Sequence, residues 1–176
     1  TEQLSQVASV LDWVLGDPSR PEPTLERHQL VLDLLRPEVR DFAVEAVCGL
    51  LERHPGISYV KWDANRALVE TGSSTLAPDR QGRVLFDLVG ATWEVMAAIA
   101  ARHPEVELML CASGGGRVDL GALRWFHEVW TSDNTDAFDR IAMQWCASWF
   151  LPTEVVAAHV TRWGGHSLAF AAAVAL

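Results

Sequence analysis

The chain has few cysteines, little positive charge and no long apolar run, and each shortage excludes something. The three cysteines, Cys48, Cys111 and Cys146, are odd in number and widely spaced, so they build no disulfide framework. Reduced thiols in a cytoplasmic protein are the expectation. Basic side chains number 14 against 23 acidic ones, a net charge of −9. Such a surface repels phosphate backbones, which excludes nucleic acid as a partner. No apolar run reaches the ~20 residues that a bilayer span needs, and the alanine-rich stretch 168–176 is far shorter, so no membrane is expected either. No signal peptide is visible after Thr1. The histidines, His28, His54, His103, His127, His159 and His166, make no H-x-x-x-H or similar spacing, and no metal or cofactor is expected. Low-complexity segments and short-period repeats are missing as well.

What is present is a rhythm of strand, loop and helix in 176 residues, enough for one domain with a real core. The pattern predicts a strand over 30–34, then a helix over 39–51 opened by Arg36-Pro37-Glu38, with proline suited to the first turn. A strand over 57–63 follows, then a long loop over 66–83 and a helix over 84–101. The next strand is expected over 106–111 with the exit loop Ser113-Gly114-Gly115-Gly116-Arg117. A short helical segment over 120–125 leads to a strand over 128–131, a helix from 135 to about 150, and a strand over 155–160 that takes in His159. Alternation of this kind means an α/β fold with a parallel sheet, either an open doubly wound sheet or part of a (β/α)8 barrel at ~31 residues per unit. Five strands cannot close an eight-stranded barrel. The abrupt start and the unfinished helix at Leu176 favour an incomplete (β/α)8 TIM barrel, with about strands 3 to 7 present. The eight tryptophans suit a core, and tryptophan also stacks well on sugar rings.

Two stretches carry chemistry. Lys61-Trp62-Asp63 and Trp130-Thr131-Ser132-Asp133-Asn134-Thr135-Asp136 each place an aspartate just past a buried strand. In one parallel sheet both carboxylates emerge at the same end, and paired carboxylates facing one pocket are the working parts of a glycosidase. Lys61 and Asp63 point the same way along a strand, and the ammonium lowers the carboxyl pKa and keeps it ionised. A surface ion pair is the structural alternative. Asp133 lies among Asp136 and Asp139, and crowded carboxylates raise one another's pKa, as a general acid requires. Its alternatives are a helix cap, for which Asp136 is the better candidate, and a Ca²⁺ loop, which lacks the EF-hand pattern. The glycine loop after Cys111 matches neither the Walker pattern nor GxGxxG; it lets backbone approach a ligand, either a phosphate or a sugar hydroxyl. Cys111 as a thiol nucleophile has no histidine beside it in sequence. His159 stands at a predicted strand end.

Five segments in order resemble the bacterial-type α-galactosidases of glycoside hydrolase family 36. They are Arg27-His28-Gln29-Leu30-Val31-Leu32-Asp33, Arg36-Pro37-Glu38-Val39-Arg40, Tyr59-Val60-Lys61-Trp62-Asp63-Ala64-Asn65-Arg66, Cys111-Ala112-Ser113-Gly114-Gly115-Gly116-Arg117-Val118-Asp119 and Trp130-Thr131-Ser132-Asp133-Asn134-Thr135-Asp136-Ala137. The resemblance runs from about Leu11-Asp12-Trp13 to His159-Val160 and is expected to decay after Val160. It implies a retaining enzyme on a (β/α)8 barrel, acting on α-galactoside oligosaccharides of the raffinose and melibiose type. By the same resemblance Asp63 is the nucleophile at the end of barrel strand 4, and Asp133 is the acid/base at the end of strand 6. Arg27 and Lys61 bind galactose hydroxyls, and Cys111 and Gly114 line the sugar pocket. No cofactor is implied, and a homo-oligomer is expected for the full-length protein. Galactosyl transfer, as in the related raffinose synthases, would use the same aspartates, and a silent fragment acting only through binding is the third possibility. Ala64 stands where the family usually has methionine, and Asn134 where a second aspartate is common. The first two barrel strands, the last strand and the flanking β-domains of the family are missing from this sequence.

Overall fold

The computed structural model describes residues 13–20 and 23–176. Leu11 and Asp12 of the resemblance lie outside the described residues. The chain divides into two compact units, Thr1–Gly56 with Arg66–Pro104, and Ile57–Asn65 with Glu105–Leu176.

The first unit is built on two packed helices, α1 (Pro37–Arg53) and α2 (Val84–Arg102). Pro37 opens α1 after an extended Arg36, as the missing N–H of proline costs nothing in a first turn. Val84, Leu88, Ala91, Val95, Met96 and Ile99 are the buried positions of α2. Each full-size aliphatic side chain so buried contributes ~1.5–3 kcal/mol. Arg40 of α1 pairs with Glu94 of α2 at 3.0 Å. The helical stretch Pro78–Arg102 is long and apolar enough, by length and composition, to cross a membrane. That corrects the expectation from the sequence: the charged Asp87 and Glu94 interrupt the apolar run, yet its many aliphatic residues keep the average high. About one third of that apolar stretch, 33%, is buried, and the helix packs on α1.

Residues 30–34, expected as the first strand, are not one. They make a single antiparallel bridge, Val14 with Leu32, held by Leu15 N–H to Val31 O (2.8 Å) and Asp33 N–H to Trp13 O (2.7 Å). The chain turns immediately afterwards. The Asp33 carboxylate accepts from Leu35 N–H (3.1 Å) and its carbonyl accepts from Arg36 N–H (3.1 Å). The turn and the helix start at Pro37 take the backbone groups a longer ladder would need. Asp33 is fully buried and also accepts from Ser73 Oγ at 2.5 Å, so it ties the first unit together.

The second unit holds a four-stranded parallel sheet in the order β1 (Tyr59–Asp63), β2 (Glu107–Cys111), β3 (Glu128–Trp130) and β4 (Val156–Ala157). Asp63 is in register with Cys111, Met109 with Glu128, and Trp130 with Ala157. Extending the β2–β3 register by one residue sets Cys111 level with Trp130. Side chains alternate along each strand, so Asp63, Cys111 and Trp130 form one row on one face, at the C-terminal end of the strands. Met109, Cys111 and Trp130 make a buried cluster there with Ala157 packed against it.

Two helices complete this unit, α3 (Ala137–Ala147) and α4 (Leu168–Ala175), packed on each other. Asp136 caps α3, its side chain accepting from Phe138 and Asp139 N–H, as expected for this residue. Ser167 caps α4. Helix α3 stops short of residue 150 because Trp149 and Phe150 bond three residues back in tight turns and Pro152 cannot extend it. The last strand shrinks from 155–160 to Val156–Ala157, since residues 153–155 are wound into a 3₁₀ turn.

Candidate active site

The C-terminal ends of β1, β2 and β3 gather five of the six predicted site residues. Asp63 ends β1 and is one-third exposed at its side chain, 33 %. Lys61, the one lysine of the chain, stands 3.7 Å from the Asp63 carboxylate. On the edge of β2, Cys111 carries its thiol beside the same carboxylate, and Ala64 N–H bonds back to Cys111 O at 3.1 Å. Burial pushes the Asp63 carboxyl up. Hydrogen bonds from the Asn65 side chain and the Cys111 thiol, then the Lys61 charge and Ala64 N–H, outweigh it and hold the carboxyl below its ordinary range. Lys61 is therefore a smaller contributor than the sequence alone suggests. The thiol of Cys111 moves the other way: burial raises it, and the Asp63 carboxylate adds to the rise against an opposing bond from Gly114.

Asn65 was not singled out in the sequence, yet it joins two parts of the site. Its Oδ1 accepts from Ser113 N–H at 2.9 Å and from Ser113 Oγ at 3.2 Å. With the carbonyl committed to the glycine loop, the amide N–H₂ is left to donate to Asp63.

The glycine loop presses on the exit of β3. Gly114 has φ +86, and a Cβ there would stand 2.8 Å from Ser132 Cα and 3.1 Å from Thr131 O. Both conformation and space demand glycine. Gly115 N–H bonds Thr131 O at 3.0 Å. The loop thus serves as backbone packed against the segment that carries Asp133.

Asp133 is exposed at the end of that segment, and Trp130 Nε1 donates to its Oδ1 at 2.9 Å. It caps no helix. The neighbouring carboxylates are engaged elsewhere, Asp136 with the helix and with His166 at 3.3 Å, and Asp139 with Asn134 Nδ2 at 2.8 Å. Trp130 is the hinge of the site. Lys61 Nζ lies 5.7 Å from its ring centroid, Arg140 Cζ 4.9 Å, and the His159 ring 4.2 Å. Strands β1 and β3 are two spacings apart, about 10 Å, and the long Lys61 side chain crosses that gap. A continuous set of contacts therefore runs from Asp63 through Lys61 and Trp130 to Asp133.

Arg140, also missed in the sequence, is buried on α3 at 2 % exposure. Removing a guanidinium from water costs on the order of several kcal/mol unless hydrogen bonds replace the lost solvation. Here they come from Thr131 Oγ1 (3.1 Å), Ser132 O (3.4 Å) and Ala157 O (2.9 Å). An arginine four residues after a helix cap carries no sequence signal that distinguishes it from a solvated one.

Arg27, the sixth predicted residue, belongs to the first unit. It is exposed on a tight turn closed by Glu26 and Gln29, with φ +53. Among the described residues no group of three or more His, Cys, Asp and Glu is placed to hold a metal ion.

The Melibiase family profile matches residues 4–176. The chain belongs to the Melibiase family. The match extends through Leu176, which corrects the expected decay after Val160. Alpha-galactosidase AgaA of Geobacillus stearothermophilus is 40% identical over 157 residues, 89% of this chain and 21% of that protein. The alpha-galactosidase of Escherichia coli is 40% identical over 172 residues, 94% of this chain and 23% of that protein. The crystal structure of the Geobacillus enzyme, a GH36 alpha-galactosidase, superposes with a TM-score of 0.87 at 38% identity, covering 97% of this chain and 24% of that one. A substituted form of it in complex with raffinose superposes at 0.85 and 39% identity, over 93% of this chain and 23% of that one. These named relatives are glycoside hydrolases, and the chain spans between a fifth and a quarter of their length.

Proposed function

We propose that the chain is part of the catalytic domain of a retaining α-galactosidase, with β1 to β4 as strands 4 to 7 of a (β/α)8 barrel. Relatives that carry the same name and a neighbour with raffinose bound support the substrate class, terminal α-D-galactosyl residues of raffinose- or melibiose-type oligosaccharides. The observation that carries the reading is the contact set Asp63–Lys61–Trp130–Asp133 on one face of a parallel sheet, at its C-terminal end. Barrel enzymes do their chemistry at that end.

In this reading the Asp63 carboxylate attacks the anomeric carbon from the β face while Asp133 gives its proton to the departing glycosidic oxygen. The bond to the aglycone breaks and a β-galactosyl ester of Asp63 forms. Asp133, now ionised, takes a proton from water, which attacks the same carbon, breaks the ester and releases α-galactose. The hydrogen bonds that keep Asp63 ionised are what a nucleophile needs. Lys61 binds galactose hydroxyls, and Cys111 and Gly114 line the sugar pocket.

The test is the anomer of galactose first released, read by ¹H NMR before mutarotation. Two displacements at one carbon give α-galactose first. Initial β-galactose would mean a single displacement by water and would remove the nucleophile role from Asp63.

A further inference from the structure

Arg140 is a buried cation whose hydrogen bonds all end on neutral oxygens, and its Nε has no hydrogen-bond partner. Nothing in the two displacements above uses it. Its partners lie on the strand exit that leads to Asp133 and on the strand paired beside it. Thr131 and Ser132 are the two residues before Asp133, Ala157 ends the neighbouring strand, and Trp130, whose ring lies 4.9 Å from the guanidinium, donates the indole N–H that Asp133 accepts. The arginine is itself fixed. Its backbone N–H bonds Asp136 O at 2.9 Å, one turn inside a helix whose cap is Asp136. A planar fork on a rigid helix can hold three oxygens in fixed relation, which an ammonium on a flexible stem cannot.

We propose that Arg140 is a positioning residue for Asp133: it locks the strand exit at Thr131 and Ser132 to the end of β4 and bears on the Trp130 ring, and so aims the carboxyl that Trp130 holds. The inference rests on Asp133 being the acid/base. Arg140 touches no reacting atom. Its anchors at Thr131 and Ser132 lie next to Asp133, so its effect falls chiefly on the proton transfers of Asp133 and grows with the need of the leaving group for a proton.

The experiment is a leaving-group series on the full chain. Aryl α-galactosides with increasingly basic phenols, ending in an alkyl α-galactoside, are compared in wild type, Arg140→Met, Arg140→Lys, Thr131→Val and Asp133→Ala. A displacement of about 1 Å in a catalytic group costs roughly 10²-fold, so Arg140→Met is expected to lose that much kcat/KM toward the alkyl substrate and a few-fold toward the most acidic phenol. Arg140→Lys is expected to show the same steepening to a lesser degree. Thr131→Val, which keeps the guanidinium and removes one anchor, should do likewise and covers the case in which Arg140→Met does not fold. Equal losses across the series in Arg140→Lys and Thr131→Val, with Asp133→Ala steep, would overturn the assignment of Arg140 and leave Asp133 in its role. A flat series in Asp133→Ala would overturn both.

Discussion

Asp63→Ala is expected to abolish turnover of an aryl α-galactoside, with kcat lower by roughly 10⁴–10⁶-fold, the scale on which losing a nucleophile is felt. The geometry says why nothing nearby substitutes. Cys111 is next to the Asp63 carboxylate, but burial and that carboxylate raise its thiol and favour the protonated form, and a thiol is a poor nucleophile in that form. Asp133 stands two strands away, tied to the Trp130 indole. The substitution also empties a space on the β face of the sugar. Azide supplied with an activated substrate should enter that space, break the bond to the leaving group and give β-galactosyl azide. Wild-type rates in Asp63→Ala, or α-galactosyl azide as its product, would contradict the role of this residue.

Asp133→Ala is expected to fail differently. Removing a general acid costs ~10²–10⁴-fold where the leaving group needs a proton and little where it does not. Raffinose should be lost almost entirely, while an activated aryl galactoside should still form the ester with Asp63 and then stall. Azide needs no base, so it should release the stalled ester, now from the face opposite Asp63, as α-galactosyl azide. The two variants thus predict opposite anomers from one reagent. Rate measurements with the activated substrate and product analysis by NMR check both. An Asp133→Ala enzyme with uniform loss on all substrates and no response to azide would exclude acid/base work by this carboxyl.

Much of this was legible in the sequence, because apolar runs that end in a polar residue mark the C-terminal ends of parallel strands. Tyr59-Val60-Lys61-Trp62-Asp63 and Val129-Trp130-Thr131 announce β1 and β3 in that way, and Asp136 announces the helix it caps. Residues 30–34 carry the same apolar signature and yet form only a bridge, since the hydrogen bonds of the Asp33 turn and the start of α1 compete for the backbone. Register was not legible. The row of Asp63, Cys111 and Trp130 depends on how neighbouring strands slide past each other, which no single segment encodes. Asn65 and Arg140 were invisible for a related reason. Each matters through partners far along the chain, Ser113 for one and Ala157 for the other. Strand alternation gives the orientation of Lys61, but its weight beside Asn65 and Cys111 depends on hydrogen bonds that only the fold brings together.

The proposed first displacement leaves Asp63 covalently bonded to the sugar. An activated galactosyl donor bearing fluorine on the ring slows both displacements by destabilising their oxocarbenium-like transition states, and its reactive leaving group lets the ester accumulate. Peptide mapping of the trapped enzyme by mass spectrometry should then find one fluorogalactosyl group, on the peptide that carries Lys61-Trp62-Asp63, and fragmentation should place it on Asp63. A label on any other carboxylate, or none while the donor is being hydrolysed, would contradict the account.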